Sequence, residues 1–153
     1  MKSIVLYFMN TILEGLLIKH DLCDTKEKME SYISFLLAEN KKYNLSGFDK
    51  YKDIVTGHIQ DSLEAVVIIK DLNVSSIADI GSGCGVPGLI LAIAFPDKKF
   101  YLIEVLNKRI SFLNKCIKKL DIKNCTVVNK DFKTCVRKKS FESDLFLARA
   151  SLK

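Results

Sequence analysis

A glycine-rich segment constrains the fold of this chain more than any other feature. It runs Asp79-Ile80-Gly81-Ser82-Gly83-Cys84-Gly85-Val86-Pro87-Gly88, after an apolar run at 77–80 and before a helical pattern at 88–95. Glycine lets the backbone turn tightly and approach a ligand where a Cβ would collide. Because the loop joins a predicted strand to a predicted helix, it indicates a βαβ unit that binds a nucleotide-like cofactor.

The alternation of patterns on both sides of the loop predicts an α/β fold. Short apolar runs predict strands at 77–80, 100–105, 126–128 and 145–147, and helical patterns between them lie at 88–95 and 108–120. Strands and helices that alternate at this spacing favour a doubly wound, mostly parallel sheet. We therefore predict a Rossmann-like core over residues 71–153.

A helical extension is predicted to precede this core, at residues 1–70. Apolar residues recur at the spacing of one helix face at Met29, Ile33, Leu36 and Leu37. Asp24 and Glu27 predict a capping box at the start of that helix, and a second helical segment is predicted from residue 58 to 69. We expect the extension and the core to pack as one globular unit.

The spacing of the glycines distinguishes between cofactors. A dinucleotide loop, G-x-G-x-x-G/A, requires Gly or Ala where Val86 stands, and a P-loop requires a Gly-Lys-Ser/Thr that does not follow. The form D-x-G-x-G-x-G is typical of S-adenosylmethionine (SAM) sites in Rossmann-like methyltransferases. The loop therefore predicts SAM as the cofactor, with contacts from Gly81, Gly83 and Gly85.

Two carboxylates are predicted to complete the cofactor site. Asp79 is expected to order the loop or to meet the ammonium group of SAM through water. Glu104 lies 23 residues after Gly81, at the end of the next predicted strand. A carboxylate in that place accepts ribose hydroxyls in nucleotide-binding βαβ units. A solvated strand end is the alternative interpretation of Glu104.

The positive charge of the chain is concentrated in one segment. The chain has 24 Lys and Arg against 18 Asp and Glu, and residues 98–139 hold 13 of the basic and three of the acidic residues. Such an excess predicts a surface for a polyanion such as RNA. A solvated face in a Lys-rich chain is the alternative.

The sequence argues against several other classes of protein. Its apolar runs are too short to span a bilayer, so no membrane association is predicted. The cysteines form no Cys-x-x-Cys pair, so neither a disulfide framework nor a structural metal is predicted; they are Cys23, Cys84, Cys116, Cys125 and Cys135. A reducing cytoplasm is the expected location.

Several segments resemble, in order, the motifs of the bacterial RsmG (GidB) methyltransferase family. Lys42-Tyr43-Asn44-Leu45-Ser46 is similar to Y-N-L-T/S, and His58-Ile59-Gln60-Asp61-Ser62-Leu63 to H-x-x-D-S-L. Residues 79–88 resemble D-x-G-x-G-x-G-x-P-G, residues 104–113 resemble E/D-x-x-x-K-R/K-x-x-F-L, and Arg149-Ala150 resembles a late R-A pair. The similarity runs nearly without gaps from about Lys42 to Lys153.

The resemblance implies transfer of a methyl group from SAM to N7 of one guanine in the 530 loop of 16S ribosomal RNA, in the small ribosomal subunit. It also implies that Gly81 and Val86 contact SAM and that Glu104 binds the ribose. Guanine N7 carries a lone pair and no proton, so the enzyme must mainly align the reacting atoms. No proton-transfer residue is therefore predicted.

The same resemblance implies the residues that meet the target. His58 and Asp61 would lie over the site from the extension, and Arg149 would lie beside the cofactor or the target. The alternatives are a capping or core role for His58, a local cap or ion pair for Asp61, and an ordinary surface charge for Arg149. Together with the basic segment, the motifs predict RNA contacts by Lys108, Arg109, Lys115 and Lys119.

Two features depart from the family pattern. Where the family has R-x-E after the third strand, this chain has Asp131-Phe132-Lys133. We predict that Asp131 accepts from the adenine amino group and that Phe132 covers the ring. The family also continues beyond the R-A pair, so the C-terminal strands are predicted to be missing, with an exposed sheet edge and self-association as consequences.

Two other functions remain open from the sequence. One is a small-molecule SAM methyltransferase, and the other is a non-catalytic remnant that binds SAM or RNA. Labelled SAM distinguishes them from an RNA methyltransferase, because only the RNA enzyme transfers label to 16S RNA.

Overall fold

The computed structural model describes residues 2–137 and 142–149, and their side chains from 11 to 134 and from 142 to 149. Ala150 of the R-A pair, the ending Ser151-Leu152-Lys153 and the side chain of Cys135 lie outside the described residues.

Helices and strands follow one another in the predicted alternation. The extension contains α1 (Lys2–His20), α2 (Lys26–Tyr43), α3 (Tyr51–Ile54) and α4 (Gln60–Asp71), with a 3₁₀ turn at Cys23–Thr25 and a π-helical turn at Val55–Ile59. The core contains β1 (Ser76–Ile80), α5 (Gly88–Ala94), β2 (Lys99–Glu104), α6 (Asn107–Lys119), β3 (Cys125–Asn129), α7 (Phe132–Arg137) and β4 (Leu145–Ala148). The four predicted strands are confirmed to within one residue at each end.

The four strands form one parallel sheet in the order β3-β2-β1-β4. The steps from β1 to β2 to β3 run in one direction, and β4 lies on the other side of β1. Because crossovers between parallel strands are right-handed, α5 and α6 cover one face, and α7, which follows β3, begins on the other, where Phe132 packs. The doubly wound α/β fold is thus confirmed, and its strand order reverses at β1, where ligands of such sheets bind beyond the carboxyl ends.

One hydrophobic core joins the extension to the sheet. Its fully buried side chains come from the helices of the extension, from β1 and β2, and from α5 and α6, and include Leu17, Tyr32, Leu63, Phe100 and Phe112. The opposite face of the sheet carries a smaller cluster of Ala78, Ile80 and Ile103. The side chains of β1 divide between the two clusters because successive residues of a strand point to opposite faces.

The predicted capping box is wrong. Asp24 lies in the 3₁₀ turn, and α2 begins after Thr25 without a side-chain cap. Thr25 has φ −89° and ψ −3°, whereas a capping residue needs extended backbone. Its hydroxyl donates instead to the carbonyl of Leu22 at 2.8 Å, which ties α2 to the preceding turn.

Candidate cofactor and target site

The glycine loop leaves the end of β1 in a conformation that needs its glycines. Gly81, Gly83 and Gly85 have φ of 69°, 58° and 95°. A Cβ on Gly85 would lie 2.8 Å from the Cβ of Leu89, whereas a Cβ on Gly83 would meet only the carbonyl of Gly81, at 3.8 Å. The backbone is therefore packed against α5 at Gly85 and open at Gly83. Val86 is 7% exposed, beside this packed end of the loop.

Asp79 lies beneath the loop and is only 1% exposed. Its Oδ2 accepts a hydrogen bond from the amide of Gly88 at 3.0 Å, so the carboxylate orders the start of α5. Its Oδ1 is buried with no hydrogen-bond partner among the described residues. Burial raises the pKa of Asp79 to about 6. A donor group or cation brought to Oδ1 would satisfy this atom and favour the ionised form.

Glu104 ends β2 and is bonded to the same loop. Its Oε2 accepts from the amide of Gly83 at 3.0 Å, and its Oε1 accepts from the amides of Val105 and Leu106 at 2.8 and 3.0 Å. The Arg109 guanidinium lies 3.5 Å from Oε2. Glu104 is only 4% exposed, so it is not a solvated strand end.

Two apolar neighbours of Glu104 were missed by the sequence analysis. Val105 and Leu106 are 51% and 45% exposed although both are large and hydrophobic. They offer an apolar surface beside the carboxylate predicted to bind the ribose. Two apolar residues directly after an acidic strand end are the available signal, but the strand predicted at 100–105 includes Val105 and stops before Leu106.

Arg149 joins the end of β4 to the extension. Its Nε lies 3.0 Å from the Asp61 carboxylate, and its NH2 donates to the carbonyl of Gly57 at 3.0 Å. Its NH1 lies 3.3 Å from Nδ1 of His58. The three residues predicted to meet the target are therefore brought together. Arg149 and Gly57, which share one of these hydrogen bonds, are 92 positions apart in the sequence. An isolated surface charge is wrong as a description of Arg149.

The contacts of His58 determine its tautomer. A guanidinium has no acceptor, so Nδ1 of His58 must accept from Arg149 and Nε2 must carry the proton. Nε2 is 2.8 Å from Oγ of Ser46 and 3.7 Å from Sγ of Cys84 in the glycine loop. Burial, and then the charge of Arg149, lower the pKa of His58 to about 4. His58 lies in the π-helical turn rather than at a helix start, and it is neutral near pH 7.

Asp131 and Phe132 have other partners in the structure. Asp131 is exposed, and its Oδ2 accepts from the amide and hydroxyl of Thr134 at 3.1 and 3.2 Å, which caps α7. Phe132 packs against the smaller cluster, edge to face with Phe146 at a centroid distance of 6.0 Å. Their predicted contacts with adenine stay predictions.

The four basic residues predicted to contact RNA lie on α6, beside α2 and the loop. Lys108 donates to the carbonyl of Tyr43 at 3.1 Å, and Arg109 faces Glu104. Lys115 lies 3.5 Å from Glu39, and Lys119 lies over the ring of Phe35 at 5.8 Å. Each therefore also links α6 to neighbouring elements. The three lysines remain exposed.

Within residues 2–137 and 142–149, no helix is long and apolar enough to cross a membrane. No group of three or more His, Cys, Asp or Glu in that part of the chain is arranged to hold a metal ion. Burial raises the pKa of the Cys84, Cys116 and Cys125 thiols, which favours their protonated form over the nucleophilic thiolate near pH 7.

Comparison with known proteins gives one consistent family. The family model GidB, rRNA small subunit methyltransferase G, matches residues 25–152. The ribosomal RNA small subunit methyltransferase G of Carboxydothermus hydrogenoformans is 37% identical over 130 residues, which cover 82% of this chain and 55% of the relative. That of Lachnoclostridium phytofermentans is 33% identical over 149 residues, 92% of this chain and 60% of the relative. The protein of the same name from Haemophilus ducreyi is 40% identical over 119 residues, 76% of this chain and 57% of the relative.

The chain spans 55 to 60% of the length of these three relatives. The matched residues include the Y-N-L-S segment, the H-x-x-D-S-L segment, the glycine loop and Glu104, all of which lie in the elements described above. The matched range and these identities show that the chain belongs to the GidB family of rRNA small subunit methyltransferase G proteins.

Proposed function

We propose that this chain takes part in SAM-dependent methylation of N7 of one guanine in the 530 loop of 16S ribosomal RNA. The observation that carries the proposal is the convergence of Asp79, Glu104 and Arg149 near the carboxyl ends of three neighbouring strands, in a member of this family. The cytoplasm is the proposed location, because the substrate is ribosomal RNA.

The residues at this end of the sheet fit the polar parts of SAM. The unpartnered Oδ1 of Asp79 would accept from the ammonium group, directly or through water. Glu104 would accept from the ribose, since a carboxylate offers about four lone-pair sites and three amides use part of them. Space beside Gly83 would admit the amino-acid part of the cofactor. When bound, SAM supplies a methyl group activated by its sulfonium.

The surrounding side chains would position the target rather than move protons. Guanine N7 attacks with a lone pair and has no proton to lose, so alignment and exclusion of water account for most of the required catalysis. His58 is neutral and held at both ring nitrogens by Arg149 and Ser46, which suits a positioning role. Arg149 and Asp61 would fix the extension over the cofactor.

The small ribosomal subunit is the proposed partner. The exposed lysines of α6 are Lys108, Lys115 and Lys119, and Lys108 lies in the first turn of the helix that follows Glu104, so a phosphate bound by Lys108 would be nearest to the cofactor site. We further propose self-association through the sheet, because β3 and β4 are its edges among the described strands. Light scattering over a range of concentrations checks this, and a constant monomer mass would contradict it.

The experiment that tests the function uses labelled SAM and 30S subunits that lack the N7 methyl group. Label in 16S RNA at the 530 loop is expected, and a Glu104→Gln variant should transfer less. Binding of SAM without transfer would instead support the non-catalytic alternative. RNA binding without steep salt dependence, and no label in 16S RNA, would instead favour the small-molecule methyltransferase.

Two of the proposed cofactor contacts need a separate measurement. We propose that Asp131 accepts from the adenine amino group and that Phe132 covers the ring. The affinity of Asp131→Ala for SAM should fall if this is right. Because Asp131 also caps α7, Thr134→Val, which removes part of the cap, serves as the control.

A further inference from the structure

The extension contacts the glycine loop through a buried tyrosine that the predicted site did not include. The hydroxyl of Tyr32, in α2, donates to the carbonyl of Cys84 at 2.9 Å. Tyr32 is fully buried, with 0% exposure. Burial raises the pKa of its phenol well above the usual range, so the hydroxyl keeps its proton and remains a donor.

This hydrogen bond fixes a peptide group in the middle of the loop. The amide of Gly85, on the same planar peptide as the Cys84 carbonyl, donates to the carbonyl of Ser82 at 2.7 Å. Both sides of the peptide between Cys84 and Gly85 are therefore held. On the N-terminal side of Cys84, the amide of Gly83 donates to the Glu104 carboxylate at 3.0 Å.

The peptide between Gly83 and Cys84 lies between these two anchors. Its carbonyl, on Gly83, has no hydrogen-bond partner among the described residues, and its amide lies beside the thiol of the same residue, Cys84. Gly83 and Gly85 both have positive φ and restrict the backbone less than other residues would, so outside contacts must set the direction of this peptide. Tyr32 provides one contact, from an element about 50 residues earlier in the chain.

We propose that Tyr32 is a positioning residue for the cofactor, which orients the peptide between Gly83 and Cys84 by holding the Cys84 carbonyl. The inference rests on the proposed binding of SAM at this loop. It makes α2 part of the binding machinery, although α2 lies outside the Rossmann-like core.

The test is Tyr32→Phe, which removes the hydroxyl and keeps the ring. Calorimetric titration with S-adenosylhomocysteine should give a dissociation constant about three- to tenfold higher than for the unmodified chain, the effect of one lost hydrogen bond. Amide hydrogen exchange without ligand should be faster at residues 82–86 and unchanged in β2.

Two variants separate positioning from general destabilisation. Thr25→Val removes another buried hydroxyl of the extension, which donates to the carbonyl of Leu22 and not to the loop. Tyr51→Phe removes a buried tyrosine hydroxyl that has no partner among the described residues. Both should bind S-adenosylhomocysteine as the unmodified chain does, even where thermal denaturation shows that Thr25→Val is less stable.

Two outcomes overturn the proposal, and a third tests the proposed function separately. Unchanged affinity in Tyr32→Phe overturns it, and so does an equal loss in Thr25→Val. If the unmodified chain does not bind S-adenosylhomocysteine, the proposed function fails. The exchange measurement then decides separately whether Tyr32 orients the loop.

Discussion

At the scale of single residues, the site is defined by buried polar atoms whose partners can be counted. His58 accepts from Arg149 at Nδ1 and donates from Nε2 toward Ser46. Oγ of Ser46 also accepts from the amide of Phe48 at 3.1 Å, so the hydroxyl proton of Ser46 remains available. Oδ1 of Asp79, by contrast, is a buried acceptor to which no described residue donates a hydrogen bond.

The first prediction concerns the tautomer of His58. Nitrogen NMR of the imidazoles should show a neutral ring protonated at Nε2, with a pKa of about 4. In Arg149→Gln the pKa should rise toward 6.5, because a positive charge that disfavours the imidazolium is removed. The chain has two histidines, so His20→Gln assigns the signals. A midpoint near 6.5 in the unmodified chain, or protonation at Nδ1, would contradict the assignment.

The second prediction concerns the pH dependence of stability. The pKa of Asp79 rises from 3.8 to about 6 on folding, so its contribution to the free energy of unfolding falls as pH rises through that window. His58 acts in the opposite direction, because its pKa falls from 6.5 to about 4 and its contribution is lost as pH falls.

Asp79→Asn separates the two effects. Urea denaturation of this variant should show a steeper rise of stability between pH 4 and 6 than the unmodified chain, because the contribution of His58 is no longer opposed. The affinity for S-adenosylhomocysteine at pH 7.5 should also fall about tenfold or more, since an ion-assisted hydrogen bond is lost. Parallel stability curves for the two proteins would show that the pKa of Asp79 is not raised.

At the scale of elements, a single side chain shapes the connection between α2 and α3. Oδ1 of Asn40 accepts from the amides of Leu45 and Ser46 at 2.6 and 2.8 Å, and Nδ2 donates to the carbonyls of Ser46 and Phe48 at 3.0 Å. Asn44 ends α2 in the left-handed conformation, with φ 48°. Together they turn the chain so that Ser46 reaches His58.

The third prediction tests this connection. Asn40→Ala should lower the free energy of unfolding by about 2 to 3 kcal/mol, because several partly buried hydrogen bonds are lost at about 1 kcal/mol each. Asn114→Ala is the matched control, since exposed Asn114 makes one bond within α6 and its loss should change stability by less than about 0.5 kcal/mol. Equal effects of the two substitutions in urea denaturation would show that the connection is not held by Asn40.

At the scale of the whole molecule, one hydrophobic core joins the extension to the sheet that carries the proposed cofactor site. The core cluster is continuous from α1 to β3, and Arg149 and Tyr32 connect the extension to β4 and to the loop. The exposed lysines of α6 lie next to α2. Binding of RNA to this surface would therefore occur beside a site that is already assembled.

The fourth prediction concerns the salt dependence of RNA binding. The affinity for an RNA fragment of the 530 loop should fall less steeply with salt when Lys108, Lys115 and Lys119 are together replaced by Gln. The magnitude of the slope of log affinity against log salt should decrease by about 2 to 3. A control that replaces Lys28, Lys50 and Lys52 in the extension removes the same charge and should change the slope less. If the slope changes by the same amount in both triple variants, the net charge of the chain, and not the α6 surface, determines RNA binding.

The sequence alone predicts the strands, the helices between them and the loop at the end of β1, because hydrophobic periodicity and glycine spacing are local properties. It also identifies Glu104 and the family motifs. It does not predict the start of α2, where the backbone conformation of Thr25 rules out the expected cap.

Only the tertiary structure decides which distant residues meet. The contacts of Arg149 with His58 and of Tyr32 with Cys84 join positions 91 and 52 residues apart, and no local pattern encodes them. They depend on the reversal of strand order at β1, which places the end of β4 beside the glycine loop, and on the packing of the extension over that end of the sheet. The sequence therefore determines the chemistry of the loop, and the fold determines what holds it in place.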